Sequence, residues 1–195
     1  MEIKYLDKNI VVCIKPVGMD SQKAVPEELI KQIGGDIFTV HRLDLNVGGV
    51  MVYARNKKSA AMLSRAINEG TMVKEYIALV HGITPDQGDW EDLLWKDAKK
   101  NKVYVVKRMR GGVKKARLEF ECKEHREDQS LVHIRLYTGR THQIRVQFAS
   151  RGYPLVGDHK YGSKAKQMNP SLFSCRLSFP YKNQMLCFEA YPEWM

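Results

Sequence analysis

Carboxylates are the scarce charge in this chain. Its 195 residues hold 22 Asp and Glu against 32 Lys and Arg, a formal net charge of +10. An excess of that size argues against an acidic surface and for a polyanionic partner. Long hydrophobic runs are missing too, since none approaches the roughly 18 residues that a membrane-crossing helix needs. The stretch Met1 to Asp7 carries Glu2, Lys4 and Asp7 and has no apolar signal region. No membrane partner is expected, and a cytoplasmic location is. Cysteine is sparse: Cys13, Cys122, Cys175 and Cys187 are scattered. That excludes a zinc knuckle, whose ligands sit two to four residues apart, and a disulfide framework. The six histidines form no His-Glu-x-x-His pair, so no metal site is read. No glycine pair is followed by Lys-Ser or Lys-Thr, and Gly-x-Gly-x-x-Gly does not occur, so no nucleotide cofactor is expected.

What remains is 44% hydrophobic residues, enough for one folded domain. Ile10 to Ile14 is a continuous apolar run stopped by Lys15-Pro16-Val17-Gly18, the pattern of a strand buried on both faces. Pro26-Glu27-Glu28 predicts a helix start and Gly34-Gly35 its end, with Leu29, Ile30 and Ile33 as the inward stripe. Asn56 predicts the cap of a second helix to about Asn68. From Met72 to Val80 both alternating faces are apolar, with Tyr76, Ala78 and Val80 on one. A phenol in such a row needs a hydrogen-bond partner or a pocket border.

Residues 85 to 95 read as a polar, acidic excursion anchored by Trp90 and Trp95. Lys96 to Arg117 then holds ten Lys or Arg against Asp97 alone, with Val103 to Val106 as a strand inside the run. This run is either a solvated hairpin or an arm facing nucleic acid, and Lys99, Lys100, Lys107 and Arg108 are its candidate contacts. Two alternating strands follow, Ala116, Leu118, Phe120 and Cys122 inward on the first, Val132, Ile134 and Leu136 on the second. Thr141 predicts the cap of a third helix ending at Gly152. Within it Arg140 and Arg145, five residues apart, point to different sides.

The most unusual window is His41-Arg42-Leu43-Asp44-Leu45-Asn46-Val47-Gly48-Gly49. It sets a cation, an anion and two glycines between Ile37 to Val40 and Val50 to Tyr53, each read as a buried strand. Taken alone, it reads most simply as a structural turn, where Asp and Gly serve the backbone.

Other windows change that balance. Val11-Val12-Cys13-Ile14-Lys15-Pro16-Val17-Gly18-Met19, His41-Arg42-Leu43-Asp44, Lys74-Glu75-Tyr76 and Gly139-Arg140-Thr141-His142-Gln143-Ile144-Arg145-Val146 together resemble the RluA family of pseudouridine synthases, as does Gly152 to Gly162. The resemblance implies an α+β fold on a bent, mixed, mainly antiparallel sheet with flanking helices and a central catalytic cleft. It implies isomerisation of uridine within an RNA chain: the bond to the base nitrogen breaks, the base rotates and a carbon bond forms. Residue by residue, Asp44 matches the catalytic aspartate, Arg145 the arginine that pairs with it, and Tyr76 the tyrosine that stacks on the base. Arg42 matches an arginine that fills the gap left by the extruded nucleotide. His41, Arg140 and His142 are assigned to shaping the site or touching phosphates.

The expectation is one catalytic domain, 1–195, without a separate N-terminal RNA-binding domain, acting as a monomer on ribosomal or transfer RNA. The alternative from another class is a non-catalytic RNA-binding protein or RNA chaperone. The chain departs from the family pattern at Val47-Gly48-Gly49, where relatives usually carry Thr-Ser-Gly, and at Gln147 and Phe173, where many have histidine.

Overall fold

The computed structural model describes residues 1–195 and divides into two compact units, Met1–Lys74 with Phe173–Glu193, and Glu75–Leu172 with Trp194–Met195. In the first unit, β1 (Ile3–Leu6), β2 (Ile10–Lys15), β3 (Phe38–Thr39) and β4 (Gly48–Ala54) are joined by α1 (Ala24–Ile33) and followed by α2 (Lys57–Asn68). The sheet runs β1-β2-β4 and continues onto β10 (Leu172–Tyr181), which carries β11 (Gln184–Glu189). The β4–β10 pairing is parallel and the others are antiparallel, so this unit is mixed as expected. Its core gathers Ile10, Val12, Val50, Val52, Leu63, Leu177 and Phe179.

All seven residues of β4 are buried, so each of its backbone groups must find a partner. One edge is filled by β2, from Ile10↔Ala54 to Lys15↔Gly49. The other is shared: β10 pairs at Gly48 and Gly49, and β3 at Tyr53 and Ala54. Between them side chains complete the ladder. Ser174 Oγ donates to Val50 O at 3.1 Å, and Val52 N donates to His41 Nε2 at 3.2 Å. β3 is therefore a two-residue, half-buried strand and not the buried Ile37–Val40 segment the sequence predicts.

The helices follow their start signals loosely. Asn56 caps α2 as expected, its Oδ1 accepting from Ser59 N at 2.9 Å. α1 begins two residues before Pro26, and its buried stripe is Val25, Pro26 and Leu29, while Ile30 is 45% exposed. The hairpin of β10 and β11 turns on Lys182 and Asn183, both at positive φ, the two-residue turn that matches strand twist.

In the second unit, β5 (Val73–His81) borders β9 (Gln129–Leu136), then come β8 (Val113–Arg126), β6 (Gln87–Asp97) and β7 (Lys102–Val106). The acidic excursion of residues 85 to 95 is in fact mostly strand β6. Its outward acids face β8, where the Arg117 guanidinium grips Asp89 at 3.0 and 2.8 Å. Trp90 turns inward onto Phe120 and Phe148, ring centroids 4.5 and 4.7 Å away. On β8 the inward row ends early: the register shifts after Cys122, which is half-exposed.

The third helix, α3 (Gln143–Ala149), starts one residue late. Its N-cap is His142 in the left-handed conformation, φ 50°, with no side-chain cap, so Thr141 does not fill that role. Residues 143 to 148 are all buried, including Gln143, Arg145 and Gln147, each of which needs a polar partner. Gln147 donates to Trp90 O and to Asp92 Oδ2, at 3.2 and 2.7 Å.

Candidate active site

In the first unit, Asp44 stands in the loop between β3 and β4, half-exposed, with Leu43 buried beside it. Both neighbouring carbonyls are tied to the body of the unit. Leu43 O accepts from Ser21 Oγ at 2.9 Å, and Ser21 O accepts in turn from the Tyr53 hydroxyl at 2.8 Å. Leu45 O accepts from Gly18 N at 2.9 Å and from Lys15 Nζ at 3.1 Å. The loop closes on itself through Val47 N, which donates to Asp44 O at 3.0 Å. Each such bond contributes about 1 kcal/mol net, and together they fix the backbone on both sides of one carboxylate.

Lys15 is fully buried and its ammonium also donates to Pro16 O at 2.8 Å. Burial pushes it down to about 8, an effect that the negative charges of Asp20 and Asp44 partly offset. His41, in the same loop as Asp44, is pushed down to about 3 by burial and by the charge of Lys74. The imidazole is therefore neutral at physiological pH and accepts the Val52 N–H, so it holds β4 to the loop that carries Asp44. Arg42 is exposed.

Two departures from the family pattern meet here. Gly48 lies opposite Phe173 in the β4–β10 register, and a Cβ on Gly48 would come within 3.2 Å of the Phe173 ring and of Lys15 O. The missing serine side chain is thus room taken by the phenylalanine. At Gly49 a Cβ would collide with the backbone of Ser174, and φ is +126°, so no other residue fits there without strain.

In the second unit, Arg145 is held by a residue not singled out from sequence. Its Nε and one terminal nitrogen donate to the two carboxylate oxygens of Asp158 at 2.6 and 2.8 Å, and Asp158 is 1% exposed. The guanidinium lies 5.1 Å from the centroid of Tyr161. That phenol accepts from Val103 N and bonds His142 Nδ1, each at 2.9 Å, so His142 and Arg145 share one nest. Tyr76 is 6% exposed on β5. Arg140 is exposed and lies in the turn before α3, not on the helix with Arg145 as the sequence reading has it, anchored by Nε to Lys115 O at 2.9 Å.

Lys99, Lys100, Lys107 and Arg108 are all exposed. The first two sit in the turn before β7 and the last two in the turn after it, at opposite ends of a strand. They are roughly 20 Å apart at 3.3 Å per residue and do not form one patch.

Asp158, Tyr161 and Lys15 could have been found: all three lie inside windows that carry the family resemblance, but nothing in their spacing announces a partner.

The model for the family described as RNA pseudouridylate synthase matches residues 9–150. The ribosomal large subunit pseudouridine synthase C of Buchnera aphidicola subsp. Baizongia pistaciae is 33% identical over 83% of this chain and 54% of its own length. The uncharacterized RNA pseudouridine synthase YhcT of Bacillus subtilis is 31% identical over 87% of this chain and 60% of its own. The chain thus spans a little over half the length of these relatives. The human RNA pseudouridylate synthase domain containing 1 superposes with a TM-score of 0.86 at 22% identity, over 100% of this chain and 84% of that one. The fold is therefore the α+β arrangement that the motif windows imply.

Proposed function

Because this chain belongs to the RNA pseudouridylate synthase family, we propose that it converts specific uridines in structured RNA to pseudouridine, with Asp44 as the catalytic carboxylate. The observation that carries this reading is the mounting of Asp44. Its side chain is half-exposed while both adjacent carbonyls are fastened, one of them by a fully buried lysine. A binding protein needs no buried cation under a surface carboxylate. A group that must meet a reacting sugar or base at fixed distance does.

Tyr76 is assigned as the ring that stacks on the uracil and Arg145 as the cation serving the carboxylate, both from the motif windows. Extruding a base costs a few kcal/mol, and exposed Arg42 is assigned to the gap it leaves. The reaction has no net redox change and calls for no nucleotide cofactor. We treat 1–195 as one catalytic domain, since the family match runs through residues of both units. It acts as a monomer in the cytoplasm. The name of the Buchnera relative favours ribosomal over transfer RNA as substrate.

The test incubates RNA from a strain lacking this protein with the purified chain and maps new pseudouridines. Asp44→Asn abolishes product, by at least 10³-fold as expected for a group acting at the reacting atoms, and leaves RNA affinity within a few-fold. Product from Asp44→Asn sinks the mechanism. RNA binding without product from the wild type favours the chaperone reading.

A further inference from the structure

The basic run holds more cations than its hairpin turns use, and three basic side chains converge elsewhere. A cavity of about 160 Å³ in the second unit is lined by Lys96, Lys114, Arg140, Thr141 and the backbone at Gly112 and Gly139, over a floor of Leu94 and Val103. Strand register explains the convergence. Leu94 lies opposite Lys114, and Lys96 opposite Val103, so these four share one face at the end of the sheet, where the buried row of Leu94, Val103 and Ala116 gives way to solvent. Arg140 comes in from the turn before α3. Gln143 fixes that turn: its Oε1 accepts from Thr138 Oγ1 and Arg140 N, and its Nε2 donates to Arg117 O. The guanidinium is then tied by Nε to Lys115 O, which leaves its terminal nitrogens for another acceptor.

No carboxylate lines this cavity, and Arg117, the cation of the run that does have acidic partners, meets them through Asp89 and Glu119. Three cations with no anion among them repel one another, and a bound anion relieves that repulsion. The cavity holds roughly five waters at about 30 Å³ each, a phosphate with part of its ribose in size. Thr141 is also in the lining, and a threonine hydroxyl can bond a ribose 2′-OH, the group that separates RNA from DNA.

We propose that this cavity is a phosphodiester site that grips one backbone phosphate of the RNA. It rests on the reading of RNA as substrate. Position gives it consequence: Val103, in its floor, donates its N–H to the Tyr161 hydroxyl that is packed under Arg145, so the gripped phosphate lies beside the arginine nest. The cavity, and not the widely spaced hairpin turns, sets how the second unit holds its RNA.

The experiment has two arms. In the first, Lys96→Ala/Lys114→Ala and Lys99→Ala/Lys100→Ala are compared for binding to a modified-site RNA across a salt series. The cavity pair weakens binding about tenfold and lowers the salt slope by about 0.7 to 0.9, one phosphate contact. The turn pair changes both by less. A neutral methylphosphonate walked along the RNA finds one position that weakens the wild type and leaves the cavity variant unaffected. In the second arm, inorganic phosphate is titrated into 15N-labelled protein, and saturable shifts at Gly112 and Gly139 are expected in the wild type and not in the cavity variant. An unchanged salt slope in the cavity variant, or phosphate shifts that persist in it, overturns the site. If the wild type binds no RNA but the phosphate shifts appear and vanish as stated, the anion site stands and the RNA reading falls.

Discussion

Lys15 and Arg145 are both buried cations, and the two units hold them in opposite ways. Lys15 gives its hydrogen bonds to two peptide carbonyls, Pro16 O and Leu45 O. Its charge is met by the nearby Asp20 and Asp44 and only partly offset, so burial still depresses it to about 8. Arg145 has a fork-to-fork carboxylate in Asp158, and an aromatic face in Tyr161. The compact ammonium suits dipoles that converge on a point, whereas the planar guanidinium suits a carboxylate that matches its spacing. One cation therefore anchors a loop, and the other is itself anchored.

The sharpest way to break this contrast is to remove the arginine's anchor. Asp158→Asn keeps the shape but takes away the charge, in a place where Asp158 is 1% exposed. Stripping one partner from a buried ion pair costs about 3 to 5 kcal/mol, so the urea midpoint falls steeply. Lys15→Met costs less, because burying the lysine is itself unfavourable and its loss releases that penalty against two unpaired carbonyls. Equal losses in the two variants would remove the distinction between the clamps.

How much of this was legible follows from the kind of interaction. Strands β2, β4, β8 and β9 follow from apolar runs and alternation, because burial on a pleated face leaves a period in the sequence. β6 was misread since its acids, Asp89 and Glu91, look like loop residues until Arg117 is placed across from them. Asp44, Tyr76 and Arg145 were named through motif windows. Asp158 and Lys15 were not, because a long-range partner leaves no local spacing. Arg145 and Asp158 are thirteen residues apart, joined by a loop whose course no periodicity reveals.

A second, smaller effect separates the titratable groups of the first unit by pH. Lys15 keeps its proton to about 8 when folded and to 10.5 otherwise. Between these values the unfolded chain binds more protons, so stability rises with pH, by up to about 1.4 kcal/mol per unit. His41 is depressed to about 3 from 6.5, and by the same sign stability is lost as pH falls from 6.5 toward 3. Lys15→Met flattens the alkaline limb and leaves the acid one, and His41→Gln, which can still accept from Val52 N, does the reverse. Urea unfolding at a series of pH values checks both. A His41→Gln variant with the wild-type acid limb would show that this imidazole is not the buried base.

The smallest expected effect concerns the ground beneath Lys15. Gly48 lets Phe173 lie against β4, and a side chain at 48 would press on the ring and on Lys15 O, both at 3.2 Å. Gly48→Ser alone therefore destabilises by about 1 to 3 kcal/mol, as overpacking does. Phe173→His alone loses apolar contact. If the two positions form one packing unit, the double variant restores the pattern common among relatives and is less destabilised than the sum. The coupling falls in the range of about 0.5 to 3 kcal/mol seen for residues in contact. Additive losses would mean that Phe173 does not fill the space of the absent serine, and that Lys15 holds the Asp44 loop regardless of what lies beneath it.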